Sequence, residues 1–238
     1  MKLAVFGGSG LAGSALVELA TLRGHTVRAL VRGAVPPGST LARVEVVRGD
    51  ALDSRAVAET IAGANAVIST LGGYRGPASI ESGTANVIAA MRESGPNRLV
   101  VLQGFHIDFP GDPRNPAKRL VAAFLKMRCP PLLPHGAALG DLLRSTNDVA
   151  WTLIRIPRMV NGPLSGRSQI GRFALGPISS VSTGDVAATL LRLAGNAEYV
   201  CDAPMLVTPR RSSSTFGLQT DTKSGTHPLP TSTPTRSS

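Results

Sequence analysis

The chain has 238 residues, 42% of them hydrophobic and 17% charged, enough to fill one core. No run approaches the roughly 18 uncharged apolar residues of a spanning helix, and Leu3 to Phe6 already reads as a strand without a signal-peptide layout, so a cytoplasmic location is expected. A formal charge of +10 would suit a nucleic-acid binder, but aromatics make up only 4% and no stacking or helix-turn-helix pattern accompanies it.

The predicted elements alternate. A strand over Lys2 to Phe6 leads to a helix over about Leu11 to Arg23, stopped by Gly24, and a strand over Thr26 to Val31, which together make one βαβ unit. Strands follow near Val44 to Arg48, Ala66 to Thr70 and Leu99 to Leu102, with helices near Ser54 to Ala62 and Ser79 to Ser94 between them. A helix near Ala137 to Ser145, a strand Trp151 to Arg155, a helix Gly184 to Ala194 and a strand near Met205 to Val207 complete the series. Strands that alternate with helices and are apolar on both faces predict a parallel sheet covered on both sides, an α/β Rossmann-type doubly wound fold.

The segment from Gly104 to Gly136, rich in Pro and Gly, is too long for a simple connector and is a candidate lid or substrate-binding segment. It carries a cluster without an acid, Arg114, Lys118, Arg119, Lys126 and Arg128, read first as a solvated basic loop and helix and second as a contact for phosphates or an anionic substrate. From Pro209 to Ser238 the composition turns to Ser, Thr and Pro, which predicts a disordered tail. One domain over 1–208, with a small C-terminal substrate-binding portion and a pocket built mainly by 104–180, is the expected organisation. Cys129 and Cys201 have neither metal-ligand spacing nor a nearby His, so no metal site is expected and both read as buried small residues.

Directly after the first strand comes Gly7-Gly8-Ser9-Gly10-Leu11-Ala12-Gly13, with glycines at GxxGxxG spacing where a helix opens. Gly7 allows the tight turn, Gly10 lets backbone approach a pyrophosphate, and Gly13 lets the helix lie close to the sheet. Ser9 and Leu11 belong to the same anion-binding turn, where free N–H groups and the helix dipole attract phosphate. At the end of the second strand, where an NAD site carries a carboxylate about 20 residues on, this chain has Arg32, which favours NADP(H). Asp50 and Ala51 would lie beside the adenine, and Ser69 to Gly73, including Thr70, Leu71 and Gly72, would pass under the cofactor.

With FGGSGLAG, GHTVRALVR, VVRGDALD, RESG, LLRSTNDVAWTLIRIPRMVNGPLSG and VSTGDVAATLLRL in this order, the body resembles the atypical short-chain dehydrogenase/reductase proteins. It is most similar to their NAD(P)H-binding group, which includes biliverdin reductase B (flavin reductase) and NmrA-like proteins. The resemblance implies a substrate pocket over the nicotinamide built by the latter half of the body, with Asp185 as a helix anchor. Three positions depart from the family's pattern. Ala12 stands where a Thr is usual, Gly33 to Pro37 supply none of the expected Ser or Arg contacts, and Gln103 or Gly104 and Arg158 occupy places where the flavin reductase type has Ser or Thr and His.

The Tyr-x-x-x-Lys pair of ordinary family members is missing, since Tyr74 is followed four residues later by Ala78 and Tyr199 by Ala203. Candidate catalytic residues are Gln103, His106 and Arg158, with Tyr74 and Asn161 near the same pocket and His135 starting a helix. Flavin or quinone reduction tolerates this loss, because the ring accepts hydride at nitrogen or oxygen and solvent can deliver the proton. The leading expectation is an NADPH-dependent reductase of a flavin, quinone-like or other conjugated small molecule. A non-catalytic NADP(H)-responsive regulator of the NmrA-like type and a non-redox isomerase or tailoring enzyme are the alternatives. A small-molecule substrate and a monomer or small homo-oligomer are expected, with neither nucleic acid nor membrane as partner.

Overall fold

In the computed structural model, residues 1–72, 78–176 and 178–209 are described. Strand β1 (Lys2–Phe6), helix α1 (Leu11–Leu22) and strand β2 (Thr26–Val31) form the predicted βαβ unit. A short 3-10 turn over Thr40–Arg43 precedes β3 (Glu45–Arg48), followed by α2 (Ser54–Ile61), β4 (Ala66–Ser69), α3 (Ala78–Ser94) and β5 (Arg98–Gly104). Next come α4 (Pro116–Arg128), α5 (Leu132–Ser145), β6 (Ala150–Ile156), β7 (Arg158–Val160), β8 (Gln169–Gly171), β9 (Ser180–Ser182), α6 (Thr183–Ala194) and β10 (Met205–Val207). The main sheet has the order β3-β2-β1-β4-β5-β6-β10-β8, and β7 pairs with β9 in a separate two-stranded sheet. Every pairing in the main sheet is parallel except β10 with β8.

Period-two alternation of apolar residues explains why both faces are covered. Leu3 and Val5 join the core on the α1 and α6 side, whereas Ala4 and Phe6 join the core on the α2, α3 and α5 side. The same split recurs in β5, with Val100 and Leu102 on the first side and Leu99 and Val101 on the second. Local signals set the helix ends. Gly24, at φ +74°, follows the last turn of α1. The Asp53 carboxylate accepts from the N–H groups of Arg55 and Ala56 at the start of α2, and the Ser182 hydroxyl accepts from Asp185 N at the start of α6.

The structure departs from the sequence reading between β5 and β6. Residues 104–136 are not an irregular segment: they hold all of α4, and α5 begins at Leu132 rather than near Ala137. The prolines that suggested loop lie where a helix tolerates them. Pro116 is the first residue of α4, and Pro134 lies in the first turn of α5, where the missing N–H has no intrahelical partner to lose. Cys129 is buried as expected, but Cys201 is exposed, in the turn before β10, at φ +53°. The short strands β7, β8 and β9 are not among the elements the sequence pattern predicts. Residues 210–238 lie outside the described residues, so the expected tail after Thr208 remains an expectation.

A buried ion cluster holds the β5–β6 connection to the sheet. Arg155 on β6 has no exposed surface, and its guanidinium donates to Asp112 through Nη1 at 2.5 Å and Nη2 at 2.6 Å. It also donates through Nη1 to Ile107 O at 2.7 Å and through Nε to Ala203 O at 2.9 Å, so the charge is paired and its donors are used. Lys118 and Arg172 approach the same carboxylate at 3.6 and 3.2 Å. Burial alone pushes the Asp112 carboxyl up, but Arg155, the Phe109 N–H and Lys118 outweigh it and hold the group below the ordinary carboxylate value.

Candidate functional site

β1 continues into β2 on one side of the sheet and has β4 on the other, so its carboxyl end is a topological switch point, where open α/β sheets bind ligands. The cleft there is lined by Gly7, Ser9, Gly10, Arg32, Asp50, Ala51, Thr70, Leu71 and Gly72. Leu30, Gly49 and Ser79, not singled out in the sequence, complete the lining. Gly49 could have been noticed as the residue before Asp50: a Cβ on it would fall 2.4 Å from that of Ala56, so only glycine lets β3 turn there against α2.

Backbone geometry makes this cleft. Gly7 has φ +81°, and the Thr70 hydroxyl donates to the carbonyls of Phe6 and Gly7, both at 3.1 Å, pinning the turn. A Cβ on Gly13 would lie 2.2 Å from Gly7 O, which is the close helix–sheet approach the motif requires. Gly10 caps α1 without a side-chain hydrogen bond, and no acid stands in the first turn, leaving the N-terminal N–H groups and the positive dipole end for an anion. These features fit a dinucleotide pyrophosphate. Leu11 turns its side chain into another groove, between α1 and residues 161–164, leaving only its backbone for the site, and Ala12 is buried in the α1–α6 core.

Arg32 sits at the rim with its guanidinium 3.7 Å from Asp50 Oδ2, both side chains partly exposed. Asp50 is held by the Leu52 N–H at 2.9 Å, and the Ala51 carbonyl accepts from Asn86 Nδ2 at 2.9 Å.

Beside the cleft lies a second cavity of about 480 Å³, lined by Gln103, His106, Phe124, Leu125, Pro157 and Arg158 among others. Gln103 joins the two: buried at the end of β5, it lines this cavity while its Nε2 donates to Leu71 O in the first cleft at 2.6 Å. All three candidate catalytic residues therefore meet in one place. Arg158 is exposed at its edge and forms no ion pair among the described residues.

His106 packs between two glycines. A Cβ on Gly104 would lie 2.5 Å from its Nδ1 and one on Gly136 3.1 Å from its Nε2, an atom buried without a hydrogen-bond partner among the described residues. Burial, with Lys118 adding to it and Asp108 opposing, lowers its pKa to about 4. At neutral pH the imidazole is uncharged, so it offers a hydrogen bond rather than an acidic proton.

The remaining candidates fall elsewhere. Asn161 accepts from the Thr183 hydroxyl at 3.3 Å in the groove beside α1, away from the second cavity. His135, on α5, places Nδ1 2.5 Å from Glu81 Oε2 and lines neither cavity. Tyr74 and Gly73 lie outside the described residues. Asp185 is an anchor: its carboxylate accepts from Ser165 N and Oγ and from Thr208 Oγ1 at 2.7 to 2.8 Å, fastening the loop after β7 to the end of β10.

Similarity to known proteins agrees with this geometry. Residues 7–197 match the NAD(P)H-binding family. Over 107 residues the chain is 38% identical to 2-alkyl-3-oxoalkanoate reductase of Stenotrophomonas maltophilia (strain K279a), a match that covers 42% of this chain and about a third (32%) of that reductase. Among solved structures, the anaerobillin reductase ChuY of Escherichia coli O157:H7 superposes with a TM-score of 0.71 at 22% identity, over 88% of this chain and 98% of ChuY. A proposed NADH-flavin reductase of Streptococcus pneumoniae TIGR4 gives 0.67 at 24% identity, over 88% and 100%. These structural likenesses establish a shared fold. With its glycine turn at the switch point of a Rossmann-type sheet, the chain belongs to the NAD(P)H-binding family.

Proposed function

We propose that the protein is an NADPH-dependent reductase of a conjugated small molecule such as a flavin or quinone. The observation that carries this is the position of Gln103, shared between the dinucleotide cleft and a largely apolar cavity of a size that suits a small ligand. Bound there, the cofactor would supply a hydride, and water would supply the accompanying proton, giving oxidised cofactor and reduced acceptor. Glycines 7, 10 and 13 and Thr70 hold the pyrophosphate turn in shape, and Gln103 fixes the β4 end against β5. Phe105, Phe124 and Leu125 present apolar surface to a flat ring. Arg158, at the edge of the cavity, places a fixed positive charge where an acceptor develops negative charge. Arg32 is the residue proposed to select the 2′-phosphate of NADP(H). The reductases among the similar proteins support this reading without naming its substrate.

The test is oxidation of NADPH by the purified chain with a panel of flavins, quinones and anionic enones. Turnover with at least one class is expected, and tight cofactor retention without oxidation would instead favour a regulator or a non-redox enzyme. Arg158→Leu should lower kcat/KM for an anionic acceptor by about ten- to a thousandfold while sparing a neutral quinone and cofactor affinity. Equal losses for both acceptors would remove Arg158 from the site.

A further inference from the structure

Helix α4 packs on the molecule with one side only. Leu125 is buried, Val121 and Ala122 are half-buried, and Lys118 is largely covered by its contacts with Asp108, Asp112 and Ile107 O. At 100° per residue the opposite side carries Leu120, Ala123, Phe124 and Met127 within a sector of about 100°. All four are exposed: Leu120 at 71%, Phe124 at 54% and Met127 at 73%, beside the smaller Ala123. Arg119 and Lys126 border this sector on one side and Arg128 on the other, all exposed. No acid occurs from Pro113 to Gly140, and the nearby Asp108 is taken by Lys118 at 2.5 Å.

An apolar sector flanked by cations is the pattern of a helix lying in the plane of a lipid interface, with the apolar residues below the headgroups and the cations among anionic phosphates. Charge disfavours the other candidate occupants. A second copy would bring the same cations against these, and residues 209–238 carry four cations, Arg210, Arg211, Lys223 and Arg236, against one acid, Asp221. The position also has a use. Phe124 belongs both to the exposed sector and to the second cavity, whose wall Val121 and Leu125 continue from the inner side of the helix.

We infer that α4 is a peripheral docking helix for an anionic lipid bilayer, seating the mouth of the second cavity at the membrane surface so that a lipid-soluble acceptor enters past Phe124. This proposal runs against the expectation that no membrane is a partner. No helix among the described residues is long and apolar enough to cross one, and lying on a bilayer needs no such helix. The acceptor class rests on the reductase reading, but the docking does not.

Co-sedimentation of the full chain with vesicles of phosphatidylcholine alone, and of phosphatidylcholine with phosphatidylglycerol, measures docking without turnover, so its failure is distinguishable from failure of the reductase. Binding is expected only to the anionic vesicles. The double variant Leu120→Gln/Met127→Gln, which keeps every charge and alters two exposed side chains outside the cavity, should weaken binding by about tenfold or more at an unchanged melting temperature. The triple variant Arg119→Gln/Lys126→Gln/Arg128→Gln should lose the preference for anionic vesicles. The proposal is overturned if the wild type binds neither vesicle, if Leu120→Gln/Met127→Gln binds as the wild type does, or if light scattering without lipid shows a dimer that this variant splits.

Discussion

The two cavities that meet at Gln103 are built by opposite means. The cleft at the switch point is made mainly of backbone: a turn at φ +81°, glycines where a Cβ would collide, and a helix end whose N–H groups are unused by side chains. The second cavity is walled largely by side chains on the β5–β6 connection, which is held to the sheet by ions. Arg155 reaches from β6 to Asp112, Lys118 reaches back from α4, and His106 is wedged uncharged between Gly104 and Gly136. A backbone site tolerates change in most side chains nearby. A site hung on one largely covered carboxylate does not.

Breaking that carboxylate should give the largest effect. Asp112→Ala leaves Arg155 buried without its partner and should cost about 3 to 5 kcal/mol in chemical denaturation, while cofactor affinity measured under native conditions stays within about threefold. Equal damage to cofactor binding would mean that the two regions are not separable in this way.

A second difference appears with pH. The folded pKa of His106, about 4, lies below the unfolded value near 6.5, so between these limits the unfolded chain binds a proton that the folded chain refuses. Stability should therefore fall as the pH drops through this window, by up to about 2 to 3 kcal/mol after allowance for partial exposure. His106→Gln should flatten the decline between pH 6.5 and 4. Asp112 and Asp185, with their pKa values depressed, should still contribute a loss below about pH 4 in both proteins. An unchanged profile in the variant would show that His106 titrates freely.

On the other side of the comparison, Arg32→Ala tests a place where the largely backbone-built cleft is expected to rely on a charged side chain. NADPH should bind the wild type about ten- to a hundredfold more tightly than NADH, and the variant should lose most of that difference without losing stability. Equal affinities in the wild type would remove the NADP assignment. The smallest effect is expected beyond both regions: truncation after Thr208, which keeps the Thr208–Asp185 hydrogen bond, should shift the melting temperature hardly at all. A drop of many degrees would mean that residues 209–238 dock on the body.

The same contrast governs what could be read from the chain. β1, α1 and β2 are visible because their determinants are local: alternating apolar runs, a glycine triplet between strand and helix, and Gly24 just beyond the helix. Arg32, Asp50 and Thr70 could be placed because a parallel sheet brings the carboxyl ends of its strands together. Between β5 and β6 the local signals mislead. Pro116 and Pro134 read as loop residues although each falls in the first turn of a helix, and nothing near Arg155 announces an acid 43 residues away. The polarity of the segment around Asp108, Asp112 and Lys118 suggests solvent, yet two of these side chains are largely covered.

The Arg155 cluster also bears on how the molecule comes apart. Connections as long as residues 105–131 commonly open on their own, and their amides exchange with solvent well before those of the sheet. Here the carbonyls of Ile107 and Ala203 and both oxygens of Asp112 converge on one guanidinium inside β6. Releasing the connection would strand that charge in the core, so the wall of the second cavity and the central strands should share a single unfolding unit. Amide exchange near Ile107 would then track global unfolding, and the cavity would keep its shape until the sheet itself gives way.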